Sequence, residues 1–346
     1  MDKKDEIILQ QLETIRTMTE RNLRSMGGDF WGTPFENVTG APEKKLASKD
    51  GGGKPAAAQP AEKKADEPEP LPKENLADLQ AELDSYIGLA DVKEEVKNLI
   101  NMVNVYKLRR AHDLPTTDMS LHMVFTGNPG TGKTMMARMM ARIYRSLDIL
   151  SKGQLVEVDR SGLVAGYVGQ TALKTQKVIE KAMGGVMFID EAYALNGKSE
   201  NDFGQEAIDT ILKAMEDHRD DLVVIVAGYT DLMEKFIHSN PGLESRFNRF
   251  LLFEDYSPDE MLAIFRMQCK KGCYQLAEGT EELVRDYINE ENGDPETFGN
   301  ARGVRNCFEH ILVAQNNRLA AMESVTKDDL MTIIPDDVLY ARGKLD

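Results

Sequence analysis

The stretch LHMVFTGNPGTGKTMMARMM, residues 121–140, decides the fold of this 346-residue chain. It begins with an apolar run, Leu121–Phe125, that is typical of a buried parallel strand. A loop that fits the pattern G-x-x-x-x-G-K-[ST] follows, and a helical pattern starts at Met135. Strand, glycine-rich loop and helix in this order predict a phosphate-binding loop, in which backbone N–H groups at the helix N-terminus surround a phosphate group.

Each residue of this predicted phosphate loop is a candidate ligand of the nucleotide. The candidates are Gly127, Asn128, Pro129, Gly130, Thr131, Gly132, Lys133 and Thr134. We expect the ammonium group of Lys133 to reach the β- and γ-phosphates and to act in catalysis. We expect the hydroxyl group of Thr134 to bind Mg²⁺. The motif therefore predicts a nucleoside triphosphate and Mg²⁺ as the bound groups.

A second apolar run, Val186–Ile189, is followed directly by two acidic residues, Asp190 and Glu191. A parallel sheet would place both carboxylates at its carboxyl edge, beside the phosphate loop. We expect Asp190 to hold Mg²⁺ through water and Glu191 to act as general base toward the attacking water. An apolar strand followed by Asp-Glu is common by itself. Downstream of a phosphate loop in an alternating fold, it indicates a hydrolytic site.

Strand-like and helical patterns alternate from about residue 81 to residue 253. The other apolar runs are Leu155–Val158, Leu222–Ala227 and Phe250–Phe253. The helical stretches are Met135–Leu147, Leu173–Met183 and Glu206–Asp217. This alternation predicts an α/β three-layer sandwich with a parallel five-stranded sheet. Beyond Phe253 the strand pattern stops, and helical patterns at about 258–270, 280–290 and 301–322 predict a helical lid.

The stretch from Leu83 to about Leu319 resembles an AAA+ ATPase of the group that contains the rubisco activase CbbX and stage V sporulation protein K. The resemblance rests on the two motifs above and on further segments, the first of which is Tyr86–Leu89. It implies that ATP is the nucleotide and that Ile87 and Gly88 contact its adenine base. It also implies ATP hydrolysis at the subunit interfaces of a homo-oligomeric ring, a hexamer, that acts on a client protein.

Two further segments of the resemblance lie on loops. The loop at 166–169, Gly-Tyr-Val-Gly, is similar to the pore loop of AAA+ rings, which implies that Tyr167 and Val168 project into the central pore and bind a polypeptide. The alternative is that Tyr167 packs against its own domain. The end of the fourth strand corresponds to sensor 1, a polar residue that positions the lytic water. Many AAA+ proteins have Asn there, and in this chain Tyr229 or Thr230 must substitute.

Two arginines complete the residues that the resemblance implies. The segment before the fifth strand is similar to the arginine-finger segment, which implies that Arg246 reaches the γ-phosphate bound by the neighbouring subunit, with Arg249 as the alternative. The segment at 299–306 is similar to sensor 2. It implies that Arg302 contacts the phosphates from the lid and acts in catalysis, with Arg305 as the alternative.

The first 75 residues differ in composition from the rest. Residues 41–75 hold six of the 13 prolines and three consecutive glycines, which predicts a disordered linker. Residues 1–40 predict a helix at about 4–26 with a narrow apolar stripe, and then three aromatic side chains. Such a helix needs a partner, so we predict a docking element for a client or adaptor. The alternatives are packing on its own ring and self-association. The domains are therefore 1–40, 41–75, 76–254 and 255–346.

Charge and apolar content disfavour other classes of protein. The formal net charge of −16 at pH 7 disfavours a nucleic-acid-directed motor or loader, since duplex binding needs a basic face. No run reaches the roughly 18 apolar residues of a membrane span, so we expect a cytoplasmic protein with no membrane partner. Three cysteines are too few for a disulfide framework or a zinc site. Cys269 and Cys273 lie four residues apart, and we expect them on one face of a predicted helix as small buried side chains. A scaffold in which ATP only switches assembly is a further alternative, disfavoured by the intact candidate catalytic residues.

Overall fold

The computed structural model describes residues 70–117, 120–167, 169–197 and 203–344. The predicted docking element at 1–40 and residues 41–69 of the predicted linker lie outside these ranges. Three apolar clusters organise the described chain. Two lie on opposite faces of one sheet, and the third lies in the helical part that follows residue 255.

The sheet consists of five parallel strands. They are β1 Met123–Thr126, β2 Leu155–Val158, β3 Val186–Ile189, β4 Val223–Gly228 and β5 Phe250–Leu252. Their order across the sheet is β2-β3-β4-β1-β5. The prediction of a parallel five-stranded α/β sandwich is confirmed. The predicted bounds of β2 and β3 agree with the structure, and those of the other strands differ by one or two residues.

The largest of these differences is at the start of β1, which was predicted at Leu121. The side chain of His122, and not its backbone, pairs with β4 at the position where β1 would otherwise be extended by one residue. Its Nδ1 atom accepts a hydrogen bond from the backbone N–H of Val224 at 3.0 Å. Burial lowers the pKa of His122 to about 4, which keeps the imidazole neutral and able to accept. The ladder between β1 and β4 therefore begins at Met123.

Helices cover both faces of the sheet. On one face they are α1 Leu76–Ser85, α2 Ala90–Ala111 and α3 Lys133–Ser146. On the other face they are α4 Arg160–Leu163, α5 Gln170–Ala182, α6 Gly204–Asp217, α7 Thr230–His238 and α8 Pro241–Arg246, with a 3₁₀ turn at Ala192–Leu195. Successive residues of β1 alternate between the two clusters, as a strand buried on both faces requires.

The lid is mainly helical. Its helices are α9 Pro258–Lys271, α10 Thr280–Glu291, α11 Pro295–Phe298, α12 Ala301–Ala320, α13 Lys327–Met331 and α14 Pro335–Ala341. A capping box starts α9, because the side chains of Ser257 and Glu260 each accept from the backbone of the other. Among the described helices of the whole chain, none combines the length and the apolar composition that crossing a bilayer requires.

The prediction that strands stop after Phe253 is wrong. Two short parallel strands, β6 Gln275–Leu276 and β7 Thr332–Ile333, pair within the lid. The backbone N–H of Ala277 extends this pairing by donating to the carbonyl oxygen of Ile333 at 2.9 Å. Two residues are too few to show the alternation by which a strand is recognised in a sequence. Their pairing holds a segment that precedes α12 against a segment that follows it.

The prediction that the cysteines are small buried side chains, with Cys269 and Cys273 on one helical face, is only partly correct. Cys269 and Cys307 are buried, and burial raises the pKa of each thiol to about 12. Cys273 was expected to share a helical face with Cys269, but α9 ends at Lys271. Cys273 is exposed and has a φ of 58°. The chain therefore turns away from the helix before Cys273.

A strap of five residues, Leu71–Asn75, precedes α1 and is bound to the large domain. The N–H of Leu71 donates to the carbonyl oxygen of Lys152 at 2.9 Å. The guanidinium of Arg142, on α3, donates to the carboxylates of Glu74 in the strap and Glu82 in α1 at 2.7 and 2.8 Å. The predicted extent of the disordered linker, to residue 75, is therefore too long. The charge-assisted contacts of Arg142 hold the last residues of that segment in place.

Candidate nucleotide-binding site

A cleft of about 360 Å³ lies at the carboxyl edge of the sheet. The predicted phosphate loop lines it with Gly127, Pro129, Gly130, Gly132, Lys133 and Thr134. The other two loop residues do not line it: Asn128 donates from its side chain to Asp255, and Thr131 is fully buried. The loop connects β1 to the first residue of α3, so its backbone leads directly into a helix N-terminus. A helix N-terminus favours bound anions, as phosphate binding requires.

The ammonium group of Lys133 lies inside the loop. It donates to the carbonyl oxygens of Gly127 and Asn128, both at 2.7 Å. Burial lowers the pKa of Lys133 to about 8, and the nearby carboxylate of Asp190 opposes this shift. The charged form of this lysine therefore lacks part of its solvation until an anion enters the cleft.

Two glycines of the loop are required by close contacts as well as by φ. Gly127 has a φ of 141°, and a β-carbon there would lie 2.2 Å from the carbonyl oxygen of Phe253. Gly130 has a φ of 73°, and a β-carbon there would lie 2.2 Å from the carbonyl oxygen of Gly299. Only glycine fits both conditions at these positions. The loop is thus packed between the end of β5 and the start of α12.

Asp190 and Glu191 line the same cleft, directly after β3. The backbone N–H of Glu191 donates to Oδ1 of Asp190 at 3.1 Å. Glu191 is exposed and has a φ of 48°, a left-handed conformation that costs a non-glycine residue of order 1–3 kcal/mol. The conformation directs the chain into the 3₁₀ turn immediately after the carboxylates. The candidate general base and a candidate metal ligand thus line the same cleft as the phosphate loop.

A second pocket, smaller and more apolar, has a volume of about 210 Å³ and is lined in part by Tyr256. Its lining includes Ile87, Met135 and Ile264, so the structure places Ile87 where a flat base could pack. Gly88 does not line this pocket. It has a φ of 63°, and a β-carbon there would lie 2.6 Å from Oε1 of Glu260, so it packs against the lid.

Both lid arginines, Arg302 and Arg305, line the cleft. The guanidinium of Arg305 donates to Glu309 at 2.8 Å, one turn further along α12. Arg302 makes no ion pair with any residue of the described ranges, and its charge helps to lower the pKa of Lys133. The geometry therefore favours Arg302 as the residue that is available to an incoming phosphate, while Arg305 already has a carboxylate partner.

The structure distinguishes the two candidates for sensor 1, Tyr229 and Thr230. Tyr229 precedes α7 and lines the cleft, whereas Thr230 is exposed and does not. The ring of Tyr229 lies 6.3 Å from that of Tyr193, centroid to centroid. Of the two candidates, Tyr229 is therefore the one that the structure brings to the cleft.

Glu157 is a cleft residue that the sequence analysis missed. It lies on β2, and its carboxylate accepts from the guanidinium of Arg138 on α3 at 2.9 Å. Burial raises the pKa of Glu157, and the negative charge of Asp190 adds to the shift. A charged residue in the middle of an apolar strand run, Leu-Val-Glu-Val, was the available signal.

Comparison with known proteins decides the family. Residues 123–255 match the AAA family, ATPases associated with various cellular activities, and residues 257–345 match the AAA lid domain. The chloroplastic ribulose bisphosphate carboxylase/oxygenase activase of Cyanidioschyzon merolae is 44% identical over 272 residues, 78% of this chain and 92% of that protein. Stage V sporulation protein K of Bacillus subtilis is 39% identical over 265 residues, 76% and 82% of the two chains.

The chain belongs to the AAA ATPases. A CfxQ homologue of Guillardia theta, 43% identical over 78% of this chain and 93% of its own length, places it in the same group as the activase and the sporulation protein. The AAA domain of FIGL-1 has the same fold, with a TM-score of 0.54 at 18% identity over 76% of this chain and 83% of that domain. The protein is therefore an ATP hydrolase, and the cleft is its candidate nucleotide-binding site.

The candidate arginine finger of this AAA ATPase does not lie in the cleft of its own chain. Arg246 is at the end of α8, where its guanidinium donates to Glu216 at 3.2 Å and to the carbonyl oxygen of Gly242 at 3.4 Å. Its Nε atom is buried without a hydrogen-bond partner among the described residues. The alternative, Arg249, donates to the carbonyl oxygen of Ser120 at 3.2 Å, also outside the cleft. Neither arginine is brought to the phosphate loop within one chain.

The candidate pore loop lies between α4 and α5. Tyr167 is 74% exposed, so it does not pack against its own domain. Two hydrogen bonds close the loop: Ala165 N–H donates to Thr171 Oγ1 at 3.0 Å, and Gln170 N–H donates to the carbonyl oxygen of Tyr167 at 3.3 Å. Val168, the second candidate pore residue, lies outside the described residues.

Proposed function

We propose that this AAA ATPase is a protein-remodelling motor that hydrolyses ATP at the subunit interfaces of a hexameric ring and moves a client protein with its pore loops. The exposed ring of Tyr167 carries this proposal. At 74%, Tyr167 is the most exposed of the large hydrophobic side chains among the described residues, and it lies on a loop that two hydrogen bonds close. A polypeptide passing the loop would cover it.

The position of Arg246 supports hydrolysis between subunits. Its own chain keeps it outside the cleft, at an ion pair with Glu216 that is partly exposed and therefore weak. A second subunit that presents its cleft to α8 would exchange this partner for the γ-phosphate. Arginine fingers of this kind contribute roughly 10³–10⁵ in rate.

The donor set of the cleft fits Mg²⁺. Thr134 contributes a hydroxyl oxygen and Asp190 a carboxylate oxygen, and both line the cleft. Oxygen donors of these two kinds are the ligands that Mg²⁺ prefers, usually together with water and substrate phosphates. When bound, Mg²⁺ neutralises the charge on the β- and γ-phosphates.

The chain's own residues then account for hydrolysis. The N–H groups of the phosphate loop and the ammonium of Lys133 hold the β- and γ-phosphates. The carboxylate of Glu191 takes a proton from a water molecule, whose oxygen forms a bond to the γ-phosphorus. The bond from that phosphorus to the bridging oxygen of the β-phosphate breaks, and ADP and phosphate are the products. Arg246 of a neighbouring subunit and Arg302 of the lid stabilise the charge on the transferred group.

A trap variant tests the motor function. Glu191→Gln keeps the shape of the general base but does not take a proton, so we expect it to bind ATP, to stop turnover and to retain the client. Retention of the client in ATP should be lost when Tyr167→Ala is added to the trap. The matched control is Leu173→Ala in the same trap, because Leu173 is 66% exposed and lies on the neighbouring helix α5. Equal retention by the two double variants would contradict the pore-loop assignment.

A further inference from the structure

A cluster of three polar side chains joins the phosphate loop to the lid. Asn128 is on the loop, Asp255 lies between β5 and α9, and Asn300 immediately precedes α12. The side-chain amide of Asn128 donates to both carboxylate oxygens of Asp255, at 3.1 and 2.9 Å. The amide of Asn300 donates to Oδ1 of the same carboxylate at 2.7 Å. One carboxylate therefore holds two amides from opposite sides of the domain boundary.

Asn300 makes two further contacts with the backbone. Its amide nitrogen also lies 3.3 Å from the carbonyl oxygen of Pro129, on the phosphate loop. Its Oδ1 accepts from the backbone N–H of Tyr256 at 2.9 Å. Asn300 is completely buried, so each of these groups exchanges water for a protein partner. The contacts connect one side chain to the loop, to the junction between the domains and to the lid.

The backbone of Asn300 is in an unfavourable conformation, with φ 54° and ψ −127°. Residues other than glycine rarely adopt a positive φ, and such a conformation persists only where its surroundings determine it. The hydrogen bonds of the side chain are what determine it here. They turn the chain into α12, whose second residue is Arg302.

Close packing at the same place supports this view. Gly130 of the phosphate loop approaches the start of α12 so closely that a β-carbon would lie 3.0 Å from the backbone nitrogen of Arg302. The hydroxyl of Tyr256 donates to the carbonyl oxygen of Thr131 at 3.3 Å. The start of α12 therefore has a fixed position on the loop, and the guanidinium of Arg302 extends into the cleft from that position.

We propose that Asn300 and Asp255 are positioning residues for ATP hydrolysis, which hold the start of α12 against the phosphate loop through Asn128 and so place Arg302 beside the phosphates. The proposal rests on ATP hydrolysis in the cleft and not on the client or the pore loop. It concerns turnover without a client, so a failure of the motor function would leave it unaffected.

The first experiment separates positioning from binding. Asn300→Gly removes the side-chain contacts but tolerates the same φ and ψ. We expect kcat for ATP to fall about 10- to 100-fold, as a displaced catalytic group does, while the Kd for ADP stays within about threefold of the parent. A kcat equal to that of the parent would overturn the proposal, and so would a loss of ADP binding that matched the loss of kcat.

A double-mutant cycle tests whether Asn300 acts through Arg302. In the parent, Arg302→Ala should lower kcat; in the Asn300→Gly background the same substitution should change kcat by less than about threefold, because the arginine is already misplaced. Non-additivity of this kind is the signature of residues that act as a unit. Full additivity of the two losses would show that Asn300 is only structural.

An exchange of the two side chains keeps the proposal testable if Asn300→Gly folds poorly. Asn300→Asp places two carboxylates together, and Asp255→Asn removes the acceptor shared by two amides, so each should lower kcat at least tenfold. Combined, the two substitutions restore a carboxylate–amide pair between positions 255 and 300. We expect the combined variant to recover part of the lost rate, because the donor to the carbonyl oxygen of Pro129 stays absent. No recovery over the single variants would overturn the direct contact.

Discussion

Lys133 and Glu191 show, at the scale of single residues, how the fold prepares the cleft for its substrate. Lys133 has a half-buried ammonium group whose partners are two carbonyl oxygens. Glu191 is in a left-handed conformation at the end of a buried strand. Both arrangements cost free energy in the free protein. An anion in the cleft lowers the first cost, because phosphate oxygens solvate the ammonium group.

ATP binding should therefore take up a proton at alkaline pH. The pKa of Lys133 is lowered to about 8 in the free protein, and contact with phosphates favours the charged form and raises it. At pH 9 much of the free protein holds a neutral lysine, so binding recruits a proton and affinity falls as pH rises above 8. Calorimetry at pH 9 in buffers of different ionisation enthalpy measures this uptake.

The same titration at pH 7 is the control for this prediction. Lys133 is then almost fully charged before ATP arrives, so its contribution to proton uptake should be close to zero. Heats of binding at pH 9 that do not depend on the buffer would contradict the shifted pKa.

The cleft residues that could be predicted from local sequence pattern are the ones that directly follow an apolar strand. The phosphate loop, Asp190 and Glu191 each follow an apolar strand directly, so local pattern and parallel pairing were enough to place them. Glu157 and Asn300 were not predicted as cleft or junction residues. Their roles depend on contacts with α3 and with the phosphate loop, which are distant in sequence and have no local signature.

At the scale of helices and strands, the apolar periodicity of the sequence predicted the long elements and missed the short ones. The main helices of the lid and the buried strands were recognised because apolar positions repeat over several turns or fill a whole run. The strands β6 and β7 have two residues each, and the strap Leu71–Asn75 has no regular structure. Side-chain and backbone contacts define these elements, and no periodic pattern marks them.

The strap yields a prediction about stability. Arg142→Ala removes hydrogen bonds to two carboxylates, and contact with its guanidinium holds the pKa of Glu74 below its usual range. Because these side chains are about one-third exposed, we expect a loss of only about 1–2 kcal/mol in the free energy of unfolding. Urea denaturation measures the loss. Backbone hydrogen exchange of Leu71 should also become faster.

The matched control for the strap is Arg266→Ala. Arg266 also forms a two-point contact with a carboxylate, that of Glu281, but both side chains are roughly half exposed. We expect this variant to lose less than about 0.5 kcal/mol. Equal losses for the two arginines would mean that Arg142 has no special role in holding the strap.

At the scale of the whole molecule, one chain does not assemble every candidate catalytic residue. Arg302 is in the cleft, Arg246 is not, and the proposed ring supplies the missing finger from a neighbour. Arg246→Ala should therefore abolish turnover while ATP binding remains, and Glu191→Gln should do the same. Mixing the two variants should restore activity, since about a quarter of randomly formed interfaces join an intact base to an intact finger. Steady-state ATPase rates across mixing ratios measure this rescue.

The outcome at each mixing ratio distinguishes the alternatives. Rescue should be greatest near an equal mixture and should disappear as either variant dominates. If no ratio gives more activity than the sum of the single variants, Arg246 does not act across an interface.

The N-terminal docking element, residues 1–40, stays a prediction, and the strap changes how it should be tested. Deleting residues 1–69 leaves the strap in place, so ATPase activity and assembly should be retained. Client retention by the Glu191→Gln trap should be lost. A shortened trap that still retains the same client would contradict the docking role, and a deletion to residue 75 serves as the control that removes the strap as well.

The strap also determines how force would pass through the molecule. It is attached at the C-terminal end of α3, through Arg142 and Ser146, whereas the first turn of α3 belongs to the phosphate site. The helix has 14 residues, so these two ends are about 21 Å apart. Tension applied to the segment before residue 70 would therefore reach one end of a helix whose other end lies at the candidate phosphate site. A load on the N-terminal segment and the occupancy of the phosphate site would therefore act on the same helix.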